Sequence, residues 1–237
     1  MGGRVPLVQR LRSLWAAAWR IGAGAAALLI VMSFLAMGAG SGAGAAERPV
    51  KLVAFGDSLT AGYGVAADEA FPAKLEKALR DKGYAVDVIN AGVSGDTTSG
   101  GLDRLDWSIP EGTDAAIVEL GANDALRGVD PAVTRKALDQ ILSRLKAKGI
   151  KVLLAGMRAP PNMGADYAGR FDAIFPDLAK AHGVALYPFF LQGVAGERGL
   201  NQPDGLHPLP AGVDVIVRGI LPDVETLLGN SPTKPKS

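Results

Sequence analysis

The chain predicts an α/β fold built on a parallel sheet, from the alternation of its elements and from its composition. Five short apolar runs, at 50–55, 85–90, 115–120, 150–155 and 184–187, alternate with longer stretches of helical spacing. Strands separated by helical crossovers imply a parallel sheet with helices on both faces. With 237 residues, 48% hydrophobic and 21% charged, the composition fits one globular domain plus extra segments.

The first strand, Val50 to Phe55, runs directly into Gly56-Asp57-Ser58-Leu59. A helix over 69–82 follows, with Phe71, Leu75, Ala78 and Leu79 on one face and Gly83 as its stop. Ala85 to Asn90 is the second strand and Ala115 to Leu120 the third. Pro131 suits the first turn of a helix over 131–148 that ends at Gly149. On that helix Val133, Ala137, Leu138, Ile141, Leu142 and Leu145 are expected to line the inner side. After the fourth strand, a single helix is expected over 166–181, closing at Gly183; the last helix fits 210–228. No internal repeat is evident. Residues 230–237 are polar and proline-bearing and are expected to form a disordered tail.

The N-terminus carries four arginines (Arg4, Arg10, Arg12, Arg20), then an uncharged apolar stretch from Ile21 to Met37, then small residues including Ala43-Gly44-Ala45. That order is the pattern of a secretory signal peptide over 1–46, which puts the mature domain at 47–229 and the protein in the periplasm or outside the cell. The competing expectation is an uncleaved membrane anchor, weakened by Arg20, Gly22 and Gly24. Without the first 46 residues the charge is 21 basic against 24 acidic. A mildly acidic body with no basic stripe argues against a nucleic-acid partner. The chain has no cysteine, which excludes disulfides, thiolate metal sites and a cysteine nucleophile. With only two histidines, His182 and His207, neither a metal nor another cofactor is expected.

In open α/β sheets, sites form beyond the carboxyl ends of the strands. Ser58 follows the first strand, Gly95 the second and Asn123 the third, so all three fall on one rim. A nucleophilic serine needs a base and a group that orients the base. Asp204-Gly205-Leu206-His207 offers both within four positions, although Asp-Gly and His-Pro are also ordinary turn pairs. His182, at a helix end before Gly183, reads instead as a structural, solvent-facing residue. Acyl transfer also builds charge on the carbonyl oxygen. The Ser58 N–H, the Gly95 N–H and the Asn123 amide are candidate donors for it, with capping and turning as the bland readings of the last two. Asp57 is expected to brace the serine turn by accepting backbone hydrogen bonds. Asp57 and Asp124 together also raise a metal or paired-carboxylate site, a reading that carries less weight.

Gly56-Asp57-Ser58-Leu59, Gly95, Gly121-Ala122-Asn123-Asp124 and Asp204-Gly205-Leu206-His207 resemble the four blocks of the SGNH (GDSL-type) hydrolases. The resemblance extends over Ile89 to Thr97 and Ala159-Pro160-Pro161-Asn162, and is greatest to the arylesterase, acyl-CoA thioesterase and lysophospholipase branch. It implies a three-layer, flavodoxin-like α/β/α fold with strand order 2-1-3-4-5. It also implies Ser58 as nucleophile, His207 as base, Asp204 as its orienting acid, and Ser58, Gly95 and Asn123 as the oxyanion hole. Thr60 stands where a Gly-x-Ser-x-Gly elbow would carry its second glycine, so the turn is not that of an ordinary α/β-hydrolase. The expected partner is a small ester or thioester, lipid esters included. A carbohydrate O-deacetylase and a non-catalytic binding module are the rivals. Chain-length preference is expected to lie in the Pro160–Tyr167 and Val194–Pro203 loops, and oligomeric state is not legible.

Overall fold

The computed structural model describes residues 48–229. The expected signal segment at 1–46 and tail at 230–237 lie outside the described residues.

Five strands form the sheet: β1 (Val50–Gly56), β2 (Val86–Gly92), β3 (Ala115–Glu119), β4 (Lys151–Ala155) and β5 (Ala185–Tyr187). All neighbouring pairs are parallel, and the order is β2-β1-β3-β4-β5, as the resemblance implied. The central strand β3 is buried at every position, which is why its run carries no polar alternation. β2 is an edge strand and shows Asp87 to solvent.

Helix α1 (Ser58–Ala61) is a single turn; α2 (Phe71–Asp81), α3 (Thr98–Ser108), α4 (Ala122–Leu126) and α5 (Pro131–Ala147) follow. The chain ends through α6 (Ala165–Asp172), α7 (Ile174–His182) and α8 (Pro210–Leu228). α2 packs with α8 on one face of the sheet, while α5 packs with α3 and α7 on the other. Phe55, Phe71, Phe171, Phe175 and Phe190 are the largest fully buried side chains between these layers.

Two local expectations are corrected and one element is added. The single helix over 166–181 is two helices, α6 and α7, broken at Ala173. Pro176 cannot donate to the Asp172 carbonyl and its ring crowds that position, so the helix restarts. Val133 is 47% exposed, and Thr134 takes the inward place because its hydroxyl donates to the buried Asp124 carboxylate at 3.0 Å. α3 was not expected at all, since Gly100 and Gly101 depress helix propensity. Gly101 packs closely there: a Cβ would lie 2.5 Å from Leu120 Cδ1, so a larger residue would require the buried Leu120 side chain to shift.

Candidate active site

Ser58 sits where β1 turns into α1. Asp57 caps that turn, its Oδ1 accepting the Leu59 N–H at 3.0 Å, as expected for a bracing residue. Its Oδ2 accepts from Asn123 Nδ2 at 3.0 Å, a contact that sequence reasoning missed. Asn123 has a second amide hydrogen, which this bond leaves available. Burial pushes the Asp57 carboxyl up to about 6, against the pull of the Leu59 and Asn123 donors and of His207.

The base comes from the loop before α8. Asp204 Oδ1 accepts the backbone N–H groups of Leu206 and His207, at 2.9 and 3.0 Å, around Gly205 in the left-handed region (φ +70°). That turn delivers His207 Nδ1 to Asp204 Oδ2 at 2.7 Å and leaves Nε2 2.9 Å from Ser58 Oγ. Both contacts are satisfied when Nδ1 carries the proton and Nε2 accepts from the serine. Tyr63 packs against the imidazole with ring centroids 4.5 Å apart and the ring planes tilted by 40°. Gln202 ties that segment to the loop, donating to the Tyr63 and Pro208 carbonyls at 2.8 and 3.1 Å.

Hydrogen bonds to the His207 ring, the His207 N–H and the Leu206 N–H hold the Asp204 carboxyl down to about 2. A carboxyl lowered on folding contributes stability that is fully present above its unfolded value of about 3.9 and is lost as pH falls towards 2. The difference in melting temperature between wild type and Asp204→Asn should therefore shrink as pH falls through 4 to 2. A thermal-denaturation series across that range checks it; a difference that grew on acidification would contradict the assignment.

Gly95 adopts φ +85°, and its carbonyl accepts from Arg127 Nη2 at 2.7 Å. It is not among the residues lining the cleft described below. Arg104, on the unexpected helix α3, reaches Asp96 (2.5 Å), the Ala91 carbonyl (2.8 Å) and the Gly56 carbonyl (2.7 Å). It thereby joins the ends of β1 and β2 to the Gly95 turn. The Asp124 oxygens are taken by the Thr98 N–H and hydroxyl and by Thr134, so this carboxylate ties α4 to α3 and α5. Among the described residues no hydrogen bond joins it to Asp57, on which it acts through its charge. His182 ends α7 as expected but is only 13% exposed; its Nε2 lies 2.7 Å from Asp139 on α5. The solvent-facing expectation fails because α7 packs against α5.

One buried residue beneath the turn went unrecognised in the sequence. Glu119, the last residue of β3, is wholly buried and accepts at Oε2 from the Thr60 hydroxyl (2.7 Å) and from the Asp57 N–H (3.4 Å).

Ser58, Asn123 and His207 open onto one cleft of about 450 Å³. Leu126, Met157, Phe189, Leu191 and Leu206 make it largely apolar. Pro160 and Pro161 line one side and Ala195, Gly196 and Asn201 another, as expected of the two loops. Leu126, Met157, Phe189 and Leu191 contribute further walls outside those two loops, which the sequence had not indicated.

A serine, histidine and aspartate connected in this way, on the carboxyl rim of a parallel α/β/α sheet, form an arrangement suited to acyl transfer, and the family and relatives that the chain matches make it a carboxylic ester hydrolase. A model of the GDSL-like lipase/acylhydrolase family matches residues 54–215, and the chain belongs to that family. It is 40% identical over 178 residues to esterase TesA of Pseudomonas aeruginosa, covering 75% of this chain and 89% of that protein. It is 42% identical over 158 residues to the thioesterase 1/protease 1/lysophospholipase L1 of Escherichia coli K12, covering 66% and 74%. The crystal structure of AlinE4, an SGNH-hydrolase family esterase, matches with 48% identity and a TM-score of 0.65, covering 77% of this chain and 98% of that one.

Proposed function

We propose that the chain hydrolyses carboxylic esters and thioesters of acyl or aryl groups through an acyl-enzyme on Ser58. The observation that carries this reading is the continuous relay from Asp204 through His207 to Ser58, at 2.7 and 2.9 Å, opening onto an apolar cleft. His207 Nε2 takes the Ser58 proton as Oγ bonds to the carbonyl carbon. The Ser58 and Gly95 N–H groups and the free Asn123 amide hydrogen are the donors for the resulting oxyanion. The C–O or C–S bond then breaks, and His207 returns its proton to the leaving alcohol or thiol. Water next attacks the acyl carbon, giving a proton to Nε2, and Ser58 departs with that proton. Asp204 keeps the imidazole oriented and stabilises its charged form.

The names of the relatives support simple esters, thioesters and lysophospholipids as the substrate range. The apolar cleft favours an acyl chain over a sugar acetyl group and weighs against the O-deacetylase reading. Each methylene buried contributes about 0.8 kcal/mol, or roughly fourfold in kcat/KM. A series of p-nitrophenyl esters and matching thioesters should therefore gain roughly fourfold per methylene beyond acetyl until the cleft is full. Highest activity on acetylated sugar, with no gain from longer chains, would favour the rival.

The basic, apolar and small-residue order of residues 1–46 supports export with cleavage near Ala46. Among the described residues no helix is long and apolar enough to cross a membrane. Amino-terminal sequencing of the protein recovered from its own host tests this; a chain still beginning before Ile21 would remove cleavage.

A further inference from the structure

We propose that Glu119 is a positioning residue for the nucleophile, its carboxyl fixing the Asp57–Thr60 turn so that Ser58 Oγ meets His207. The inference rests on the reading of Ser58 as the nucleophile and adds a residue that no motif of the sequence marks.

Parallel pairing sets Glu119 of β3 opposite Gly56 of β1, which aims its side chain beneath the turn that carries Ser58. Oε2 accepts from the backbone N–H of Asp57, just before the serine, and from the hydroxyl of Thr60, just after it. Oε1 has no hydrogen-bond partner among the described residues. The fit also explains the glycine that opens the motif. A Cβ on Gly56 would lie 2.2 Å from Thr60 Oγ1, 2.6 Å from Glu119 Oε2 and 2.6 Å from the Glu119 carbonyl oxygen. The carboxyl occupies the space that any side chain at residue 56 would need.

A second tie runs between the same two segments, from Asn123 Nδ2 to Asp57 Oδ2. The stretch from Glu119 to Asn123 and the stretch from Asp57 to Thr60 are thus joined at both ends. One carries the nucleophile and the other the candidate oxyanion amide, so a change in either tie alters their mutual alignment. An apolar side chain of similar size would fill the space of Glu119 without burying a carboxyl. It would also leave the Thr60 hydroxyl and the Asp57 N–H without this acceptor. Burial, and then the neighbouring Asp57 carboxylate, push the Glu119 carboxyl well above the usual range. Both contacts are made by Oε2 acting as an acceptor, a role that a glutamine carbonyl can reproduce.

The test measures kcat, KM, melting temperature and the rate at which an organophosphonate labels Ser58. It compares wild type with Glu119→Ala, Glu119→Gln, Thr60→Val and the Glu119→Ala/Thr60→Val double variant. Misplacement of a reacting group by an ångström costs on the order of 10²-fold. Glu119→Ala and Thr60→Val should each lower kcat and the labelling rate by about 10- to 100-fold with KM little changed. Glu119→Gln should recover most of that loss. The double variant should be no worse than Glu119→Ala alone, because both remove the same tie. Should Glu119→Ala fail to fold, Thr60→Val and Glu119→Gln carry the comparison. Variants that lose stability but keep kcat and labelling rate in the folded fraction would overturn the inference. So would losses that multiply, or a glutamine variant as impaired as alanine. Hydrolysis by wild type that survives Ser58→Ala would remove the underlying reading of Ser58 instead, whatever Glu119 does.

Discussion

Replacing Ser58 with alanine is expected to lower kcat/KM on a chromogenic ester by about 10⁴-fold or more, with the fold retained. The change deletes only Oγ, from a side chain whose hydroxyl makes one described contact, to His207 Nε2 at 2.9 Å. The turn is held by other residues: Asp57 bonded to Leu59 and Asn123, and Glu119 bonded to Thr60 and the Asp57 N–H. Melting temperature should therefore stay within a few degrees of wild type, and any residual rate reflects binding and the oxyanion donors alone. Initial rates under saturating and limiting substrate, with a melting curve on the same sample, check both halves. Activity above about one per cent of wild type would remove Ser58 from the mechanism.

His207→Ala is the second large effect, with a loss of similar size on the same substrate. Groups that act as one unit do not add, so the Ser58→Ala/His207→Ala pair should be about as impaired as either variant alone. His182→Ala supplies the control. That ring pairs with Asp139 on α5 and is absent from the cleft, so its loss should leave kcat within about twofold and act only on stability. Comparable losses at the two histidines would show that the effect is one of folding rather than of proton transfer.

The candidate site residues were the most legible part of the chain. Asp204 and His207 lie three residues apart, and the turn that joins them is written in the intervening glycine. Ser58, Gly95 and Asn123 each follow a strand-like run, so parallel topology led one to expect them on one rim, and Ser58 and Asn123 do line the cleft. The inner strands β1, β3 and β4 were legible because burial on both faces leaves apolar runs that end where the turns begin. What escaped depends on partners distant in sequence. Glu119 reads as the polar end of a strand, and its contacts, Asp57 and Thr60, are 62 and 59 residues away. A carboxylate within an otherwise wholly apolar run was the only local sign. α3 was hidden by Gly100 and Gly101, whose low helix propensity is overridden by close packing of Gly101 on Leu120. Val133 took the inner face in the apolar pattern, whereas the structure gives that place to Thr134, since a threonine can satisfy the buried Asp124. The cleft walls outside the two expected loops could not be read because Leu126, Met157 and Phe189 come from three separate segments.

Intact-mass and peptide mapping after reaction with a p-nitrophenyl phosphonate follows the nucleophile itself. The relay from Asp204 through His207 to Ser58 predicts one phosphonyl group per chain, on the peptide carrying Ser58, appearing in step with the loss of esterase activity. It predicts no adduct in Ser58→Ala and strongly slowed labelling in His207→Ala. An adduct on another residue, or full hydrolysis by a chain whose Ser58 is already blocked, would contradict it.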